Sequence, residues 1–231
     1  SGNRHCFEMF AEIADAKFLS TFFAENLAFV GWKRYPFYFN DLYTAGLYIN
    51  AVSAVSCGGI VGVDMSGSKL VTQSQGDTWT ISNIVTGGVI PELVSGDTAM
   101  VDVRDVGNVM LENITLQGQV GTGISKQLIW ADFGCVDIVE IYCEIVGTGG
   151  LSNWGRFGHP DNPSCDVNIR GLYFSAGAAL DSLTFNVYGP TKVHADYVEY
   201  GVGSPGTLFT RRGTGASNIS IENFVQNGRL P

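Results

Sequence analysis

The sequence predicts an all-β fold, a parallel β-helix of about eight coils, with residues 1–21 as an N-terminal cap or partial coil and residues 22–231 as the β-helix domain. Three observations predict it. An apolar pattern returns at intervals of 25 to 32 residues, each unit breaks strand alternation at one fixed place, and asparagine or glycine stands at most of those breaks. A quasi-regular period of this length marks a solenoid, in which a single unit cannot bury its apolar face without a neighbour.

The repeating element is legible in AENLAFVG (residues 24–31), LENITLQG (111–118) and IENFVQNG (221–228). With the first apolar residue of a unit called p, apolar or small residues recur at p+2, p+5 and p+7. The origins are Phe22, Leu47, Trp79, Val109, Val136, Val167, Val193 and Ile219. The spacing of two keeps one face of a strand apolar, and the step of three from p+2 to p+5 breaks that rhythm. A corner must sit there. Asn26, Asn83, Asn113, Asn223 and Gly171 occupy p+4, the residue types that most cheaply adopt left-handed backbone angles. Leu111, Ile114 and Leu116 then point into one interior. A further strand must close each turn, and GIVGVDM, AMVDVRD, QLIWADF, LTFNVY and TLFTR lie just upstream of several units. Stacked at about 4.8 Å, eight such turns give a rod about 35–40 Å long. Helical periodicity is confined to Phe7, Phe10, Ala14 and Phe18, which predict either a helical cap over the open end of the rod or an irregular extra turn.

A chain of 231 residues with 45% hydrophobic content can bury a substantial core. Only 15% of residues are charged and 30 are glycine, so the surface leans on small polar residues and tight turns. The formal net charge of −9, with no basic cluster beyond Lys33-Arg34 and Arg211-Arg212, argues against general nucleic-acid binding. No apolar run is long enough to cross a bilayer and no charged-then-apolar leader is present, so membrane insertion is not expected. The Ser-Gly start, without Met, reads as a piece of a longer protein. Cys6, Cys57, Cys135, Cys143 and Cys165 form an odd set with no C-x-x-C pair. They are expected to be reduced packing residues in a reducing cytoplasm, with no metal site and no cofactor.

The corner motifs ENL, SNI, ENI and ENF, at 25–27, 82–84, 112–114 and 222–224, resemble those of right-handed, single-stranded parallel β-helix proteins of the pectin-lyase-like class. Within that class the resemblance is to the tailspikes and tail fibres of bacteriophages. It runs from about Phe22 to Gly228 and rests on the corner pattern, not on a catalytic signature. It implies a homotrimeric, host-recognising protein of the virion tail, assembled in the host cytoplasm with other tail proteins. Such a protein binds bacterial capsular or O-antigen polysaccharide and in some cases depolymerises it. The calcium-binding aspartates and secretion signal of pectate lyases in the class have no counterpart here.

In a stacked solenoid, equivalent positions form rows along the rod. The outward row at p+6 contains Tyr142, Tyr173 and Glu199 in succession, which reads either as a platform for a sugar ring or as a subunit interface. The row at p+1 contains Asp137, Asn168 and His194. Two turns separate Asp137 from His194, so this row reads as a hydrogen-bond ladder and not as a catalytic pair.

Two Gly-rich stretches carry the remaining candidates. Thr148 to Ser164 reads as a loop with Trp154 for stacking on sugar, Arg156 for a carboxylate, and His159 or Asp161 for proton transfer, or else as a loop packed onto the rod. Gln119 to Gly134 adds Lys126, Trp130 and Asp132. Glycoside hydrolysis needs two carboxyl groups about 5–9.5 Å apart. Asp132, Glu144 and Asp161 are the catalytic candidates, with Trp130, Tyr142, Trp154, Arg156, His159 and Tyr173 binding substrate. Asp102 and Asp105 flank Arg104 and are equally explained by a local ion pair. The competing readings are a purely structural trimeric shaft or adaptor of a virion, and a free polysaccharide lyase or hydrolase.

Overall fold

The structure, a computed structural model, describes residues 6–10, 18–19, 21–40, 43–44, 46–64, 78–91, 99–104, 106–120, 127–132, 134–146, 153–159, 165–174, 184–200, 207–213, 215 and 217–226. Among them there is no helix, hence none long and apolar enough to cross a membrane. All strand pairing is parallel. One sheet stacks eight strands in chain order: β1 (Phe7–Phe10), β4 (Phe37–Asn40), β7 (Val61–Asp64), β10 (Ala99–Asp102), β12 (Gln127–Ala131), β15 (Gly155–Phe157), β18 (Phe185–Tyr188) and β20 (Phe209–Arg212). The other holds β3 (Phe22–Val30), β6 (Gly46–Val55), β8 (Thr78–Gly87), β9 (Val89–Ile90), β11 (Asn108–Val120), β13 (Gly134–Ile138), β14 (Ile141–Val146), β16 (Cys165–Ile169), β17 (Leu172–Phe174), β19 (Thr191–Tyr200) and β21 (Asn218–Gln226). A short pair, β2 (Phe18–Leu19) and β5 (Tyr43–Thr44), stands apart. The chain crosses from one sheet to the other on every lap, which makes the molecule a parallel β-solenoid.

The register carries the repeat origins into a single row. Phe22 pairs with Leu47, Leu47 with Trp79, Trp79 with Val109, Val109 with Val136, Val136 with Val167, Val167 with Val193, and Val193 with Ile219. From Leu47 to Val193 this row is at most 3% exposed. The p+2 row is drier still, with Ile49, Ile81, Leu111, Ile138, Ile169 and Ala195 all at 0 or 1%. Burying apolar surface at roughly 25 cal/mol per Å² is the main force holding successive laps in line.

The corner at p+4 takes two forms. In the first four laps Asn26, Ala51, Asn83 and Asn113 hold φ of 55°, 53°, 54° and 51°, so each strand bends and resumes with its apolar side inward. Their side chains form a ladder. Asn113 Nδ2 donates to Asn83 Oδ1 at 2.7 Å, and Asn83 Nδ2 donates to Asn50 Oδ1 at 2.8 Å. In later laps the left-handed residue is absent: Gly171 and Asn223, expected in that conformation, do not adopt it. There the corner is an interruption between β13 and β14 and between β16 and β17, while Asn223 Nδ2 reaches back to the Asp196 carbonyl at 2.9 Å.

The upstream closing strands are β7, β10, β12, β18 and β20, as the sequence implied. The other three strands of the same sheet, β1, β4 and β15, were not foreseen. Phe7–Phe10 forms β1 and pairs with β4, and Phe18–Leu19 forms β2, so the helical cap proposed through Phe7 and Phe18 gives way to strand; Ala14 lies outside the described residues. The third is β15, inside the stretch read as a loop. Gly155 makes it possible: a Cβ there would stand 2.8 Å from the Ile129 carbonyl oxygen and 2.9 Å from the Phe185 ring. Phe157 then stacks on Phe185 at 5.3 Å, and Phe185 on Phe209 at 5.5 Å, as an aromatic file inside the coil.

All five cysteines are unpaired, with Cys57, Cys143 and Cys165 in the core. Burial pushes the Cys165 thiol up to about 12 and Cys143 higher still, so both are neutral apolar fillers.

Candidate functional site

On the outer face of the first sheet, register places Asp102, Trp130, Arg156 and Asn186 side by side. Each alternates with an inward neighbour, because the strand period of two sends Val101, Ile129, Phe157 and Val187 to the core. Arg104, two residues past Asp102, folds its guanidinium over Trp130 at 4.3 Å from the ring centroid. Arg156 covers Trp130 as well, at 4.7 Å, and lies 4.3 Å from the Tyr188 centroid. The result is a file running Arg104, Trp130, Arg156, Tyr188 along the rod. Cation–π contacts of this kind are each worth about 0.5–2 kcal/mol, more as water is excluded.

The two arginines differ in what else holds them. Asp102, 1% exposed, accepts from Arg104 Nε at 2.8 Å. Burial pulls the Arg104 guanidinium down, and the charge and hydrogen bond of Asp102 more than restore it, leaving its pKa above the ordinary value. Arg156 gives Nε to the Gly158 carbonyl at 3.3 Å and, among the described residues, has no carboxylate partner. Beside it, the Trp130 Nε1–H is shielded from solvent and has no acceptor among the described residues. Arg212 extends the same face, its Nε donating to Asn186 Oδ1 at 2.8 Å. On a chain of net charge −9, this is a locally cationic, donor-rich strip.

The p+6 row joins Tyr142 to Tyr173 and Tyr173 to Glu199. The two rings stack at 4.5 Å with 11° between planes, and Tyr197 tilts against Tyr173 at 5.6 Å while its hydroxyl donates to Glu199 Oε2 at 3.0 Å. Parallel stacking in consecutive laps covers the facing ring surfaces. Tyr142, at the end of this stack, remains 43% exposed. Desolvation first, then the charges of Glu140 and Glu199, raise the Tyr142 and Tyr173 phenols, so both remain neutral donors.

The other sequence candidates separate. Trp154 is 0% exposed and packs against Phe174 at 4.5 Å, in the row that holds Ile60, Met100 and Leu128 in the core. It has no ring face to offer a sugar; the packing alternative is the one realised. His159 is half-buried beside β15. Asp132 is 4% exposed at the end of β12 in the first sheet, whereas Glu144 is exposed on β14 in the second. The two carboxylates therefore stand on different walls of the coil. Asp161, Lys126 and Asp105 lie outside the described residues. Sequence reasoning missed Tyr188 and the pairing of Arg104 with Trp130. The signal was present in the alternation of VDVR, IWAD, GRFG and NVYG, each with a large polar or aromatic residue at outward positions.

At p+1 the expected ladder is formed in part. Asn168 Nδ2 donates to Asp137 Oδ1 at 2.9 Å, Asn168 is in register with His194, and His194 Nδ1 meets Ser220 Oγ at 2.8 Å. Comparison with protein-family models, with curated proteins and with solved structures found no match.

Proposed function

We propose that this β-solenoid is a host-recognition module of the phage tailspike or tail-fibre type that binds an acidic bacterial surface polysaccharide, capsular or O-antigen, along the outer face of its first sheet. The observation that carries the reading is Arg156. Its guanidinium is oriented by two aromatic rings, and apart from the bond to Gly158 its donors have no partner among the described residues. A planar fork held in this way suits the carboxylate of a uronic or sialic acid residue, and binding it bidentately adds directional specificity. Asn186 and Tyr188 supply further polar groups one lap on, and Arg212 two laps on. The reading is binding without cleavage, because Asp132 is buried and Glu144 faces away on the second sheet.

The test is affinity electrophoresis through gels containing a uronate-bearing capsular polysaccharide or neutral dextran. Retardation by the acidic gel alone, weakened at least tenfold in Arg156→Ala and reduced by salt, is expected. Equal migration in both gels, or unchanged retardation of the variant, refutes the proposal. Appearance of new reducing or unsaturated ends would refute the binding-only form.

A second reading, a structural shaft assembling as a homotrimer with other tail proteins, is favoured by a different surface. Val30, Val85 and Val89 are 71, 42 and 56% exposed on the post-corner face of the first three laps. Ala28, Ser53 and Val85 lie in register there without a charge. Solution mass by light scattering decides it: three chains per particle support the shaft, and one chain removes it.

A further inference from the structure

The p+1 ladder ends in a group that hydrogen bonding alone does not account for. His194 and Asp196 are two apart on β19 and so face the same side, and the pairing of Ala195 with Ile221 and of Tyr197 with Asn223 sets Glu222 of β21 beside Asp196. His194 Nε2 lies 2.9 Å from Asp196 Oδ1 and 3.6 Å from Glu222 Oε1, and the three ligand atoms are all within 4.8 Å of one another. Like charges directly opposite on neighbouring strands destabilise a parallel ladder. Among the described residues no lysine or arginine pairs with either carboxylate: the nearby Lys192 is drawn to Asp166 instead, at 3.6 Å. Among the described residues the two carboxylates in register meet the His194 imidazole and no lysine or arginine.

We propose that His194, Asp196 and Glu222 form a divalent metal site, of the zinc class, that clamps the last two laps together. A ligand set of one imidazole and two carboxylates suits such an ion. Around zinc, with bonds of about 2.0–2.2 Å and tetrahedral angles, ligand atoms sit about 3.4 Å apart, and the observed 2.9 and 3.6 Å bracket that spacing. The 2.8 Å contact between Nδ1 and Ser220 Oγ fixes the ring, and with the proton on Nδ1 it leaves Nε2 to the metal, the outer-shell arrangement that metal-bound histidines use. The clamp acts on a lap whose inward face is partly open to solvent. Ile221 of β21 occupies an inward row yet is 38% exposed, against 0% for its partner Ala195. A ligand bound only by the folded lap stabilises it by mass action.

The test is titration of the whole chain with Zn²⁺, followed by calorimetry and by the thermal midpoint, with Ca²⁺ as comparator. One Zn²⁺ per chain, bound at least tenfold more tightly than Ca²⁺, with a raised midpoint, is expected. Glu222→Gln and His194→Ala each weaken binding at least tenfold and abolish the rise in midpoint. Cys135→Ser and Asp137→Asn leave both unchanged. Zinc affinity unchanged in the conservative Glu222→Gln variant, or no zinc bound by the wild type, overturns the site and leaves an ion pair between imidazolium and carboxylates.

Discussion

Ala51 is the residue on which the account of the corners is most exposed to test. It holds φ of 53° at a position where the equivalent left-handed residues in three other laps are asparagine. A Cβ-bearing residue without a local polar group costs about 1–2 kcal/mol in the left-handed region, and asparagine lowers that cost. Ala51→Asn also places an amide in the row of Asn26 and Asn83. Asn83 Nδ2 now donates to Asn50, one residue before the corner, because alanine offers it nothing. Relief of strain, with one added ladder bond worth about 0.5–1.5 kcal/mol, gives an expected gain of roughly 1–2 kcal/mol. For a chain of this size that is about 2–8 °C in thermal midpoint. Ala51→Gly gains less, because glycine's freedom in the unfolded chain offsets roughly 0.4–1 kcal/mol of the relief. Asn83→Ala loses the conformational preference and two ladder bonds, at a cost of about 1–3 kcal/mol. In circular dichroism melts Ala51→Asn should have the highest midpoint, followed by Ala51→Gly, then the wild type, with Asn83→Ala lowest. An Ala51→Asn midpoint at or below wild type would refute the claim that these corners are set by left-handed geometry.

Two further outcomes follow from packing. Tyr35 is 1% exposed, its hydroxyl donates to the Ala99 carbonyl at 2.6 Å, and a Cβ on Gly62 would meet its ring at 2.5 Å. Gly62→Ala should therefore cost about 1–3 kcal/mol by overpacking, read as a lowered urea midpoint, and should cost less in a Tyr35→Ala background. Cys143 and Cys165 should resist alkylation in the native state. Their folded pKa values lie above the ordinary value of 9.0, so their contribution is complete below pH 9 and is lost as pH rises toward about 12. The loss approaches about 1.4 kcal/mol per pH unit for each thiol, and a Cys143→Ala, Cys165→Ala variant should have a flatter alkaline limb.

The inward half of this fold was legible because it obeys two constraints at once. An alternation of two fixes which residues enter the core, and one left-handed residue shifts the phase, so Leu111, Ile114 and Leu116 announce both a face and a corner. Where the phase shift uses a break instead, at Val139-Glu140 or Arg170-Gly171, the apolar row still marks the lap but the conformation of the corner does not follow. Trp154 shows the other limit. Surrounded by glycine and proline it reads as a loop aromatic, and only the register of β15 with β12 and β18 reveals that it continues a buried row. The outward half has no such redundancy. No period obliges Arg104, Trp130, Arg156 and Tyr188 to appear, and their association depends on side chains two residues out of step that lean together across laps.

That difference bears on the polysaccharide binding proposed above. Flat sugar rings are gripped by free aromatic faces, and here Tyr142 stacks on Tyr173, Trp130 lies against two guanidinium groups and Trp154 is in the core. What remains at the surface are the donors of Arg156 and, two laps on, of Arg212, about 9.6 Å apart along the stack. A sugar unit in an extended polysaccharide is of similar length to one lap. A chain bearing a carboxylate at regular intervals can therefore lie along the rod and meet Arg156 and then Arg212 in turn, whereas a neutral glycan of the same shape meets the same donors without the charge. On the proposed function the discrimination is electrostatic, with Arg156 positioned by the rings of Trp130 and Tyr188 and Arg212 by Asn186.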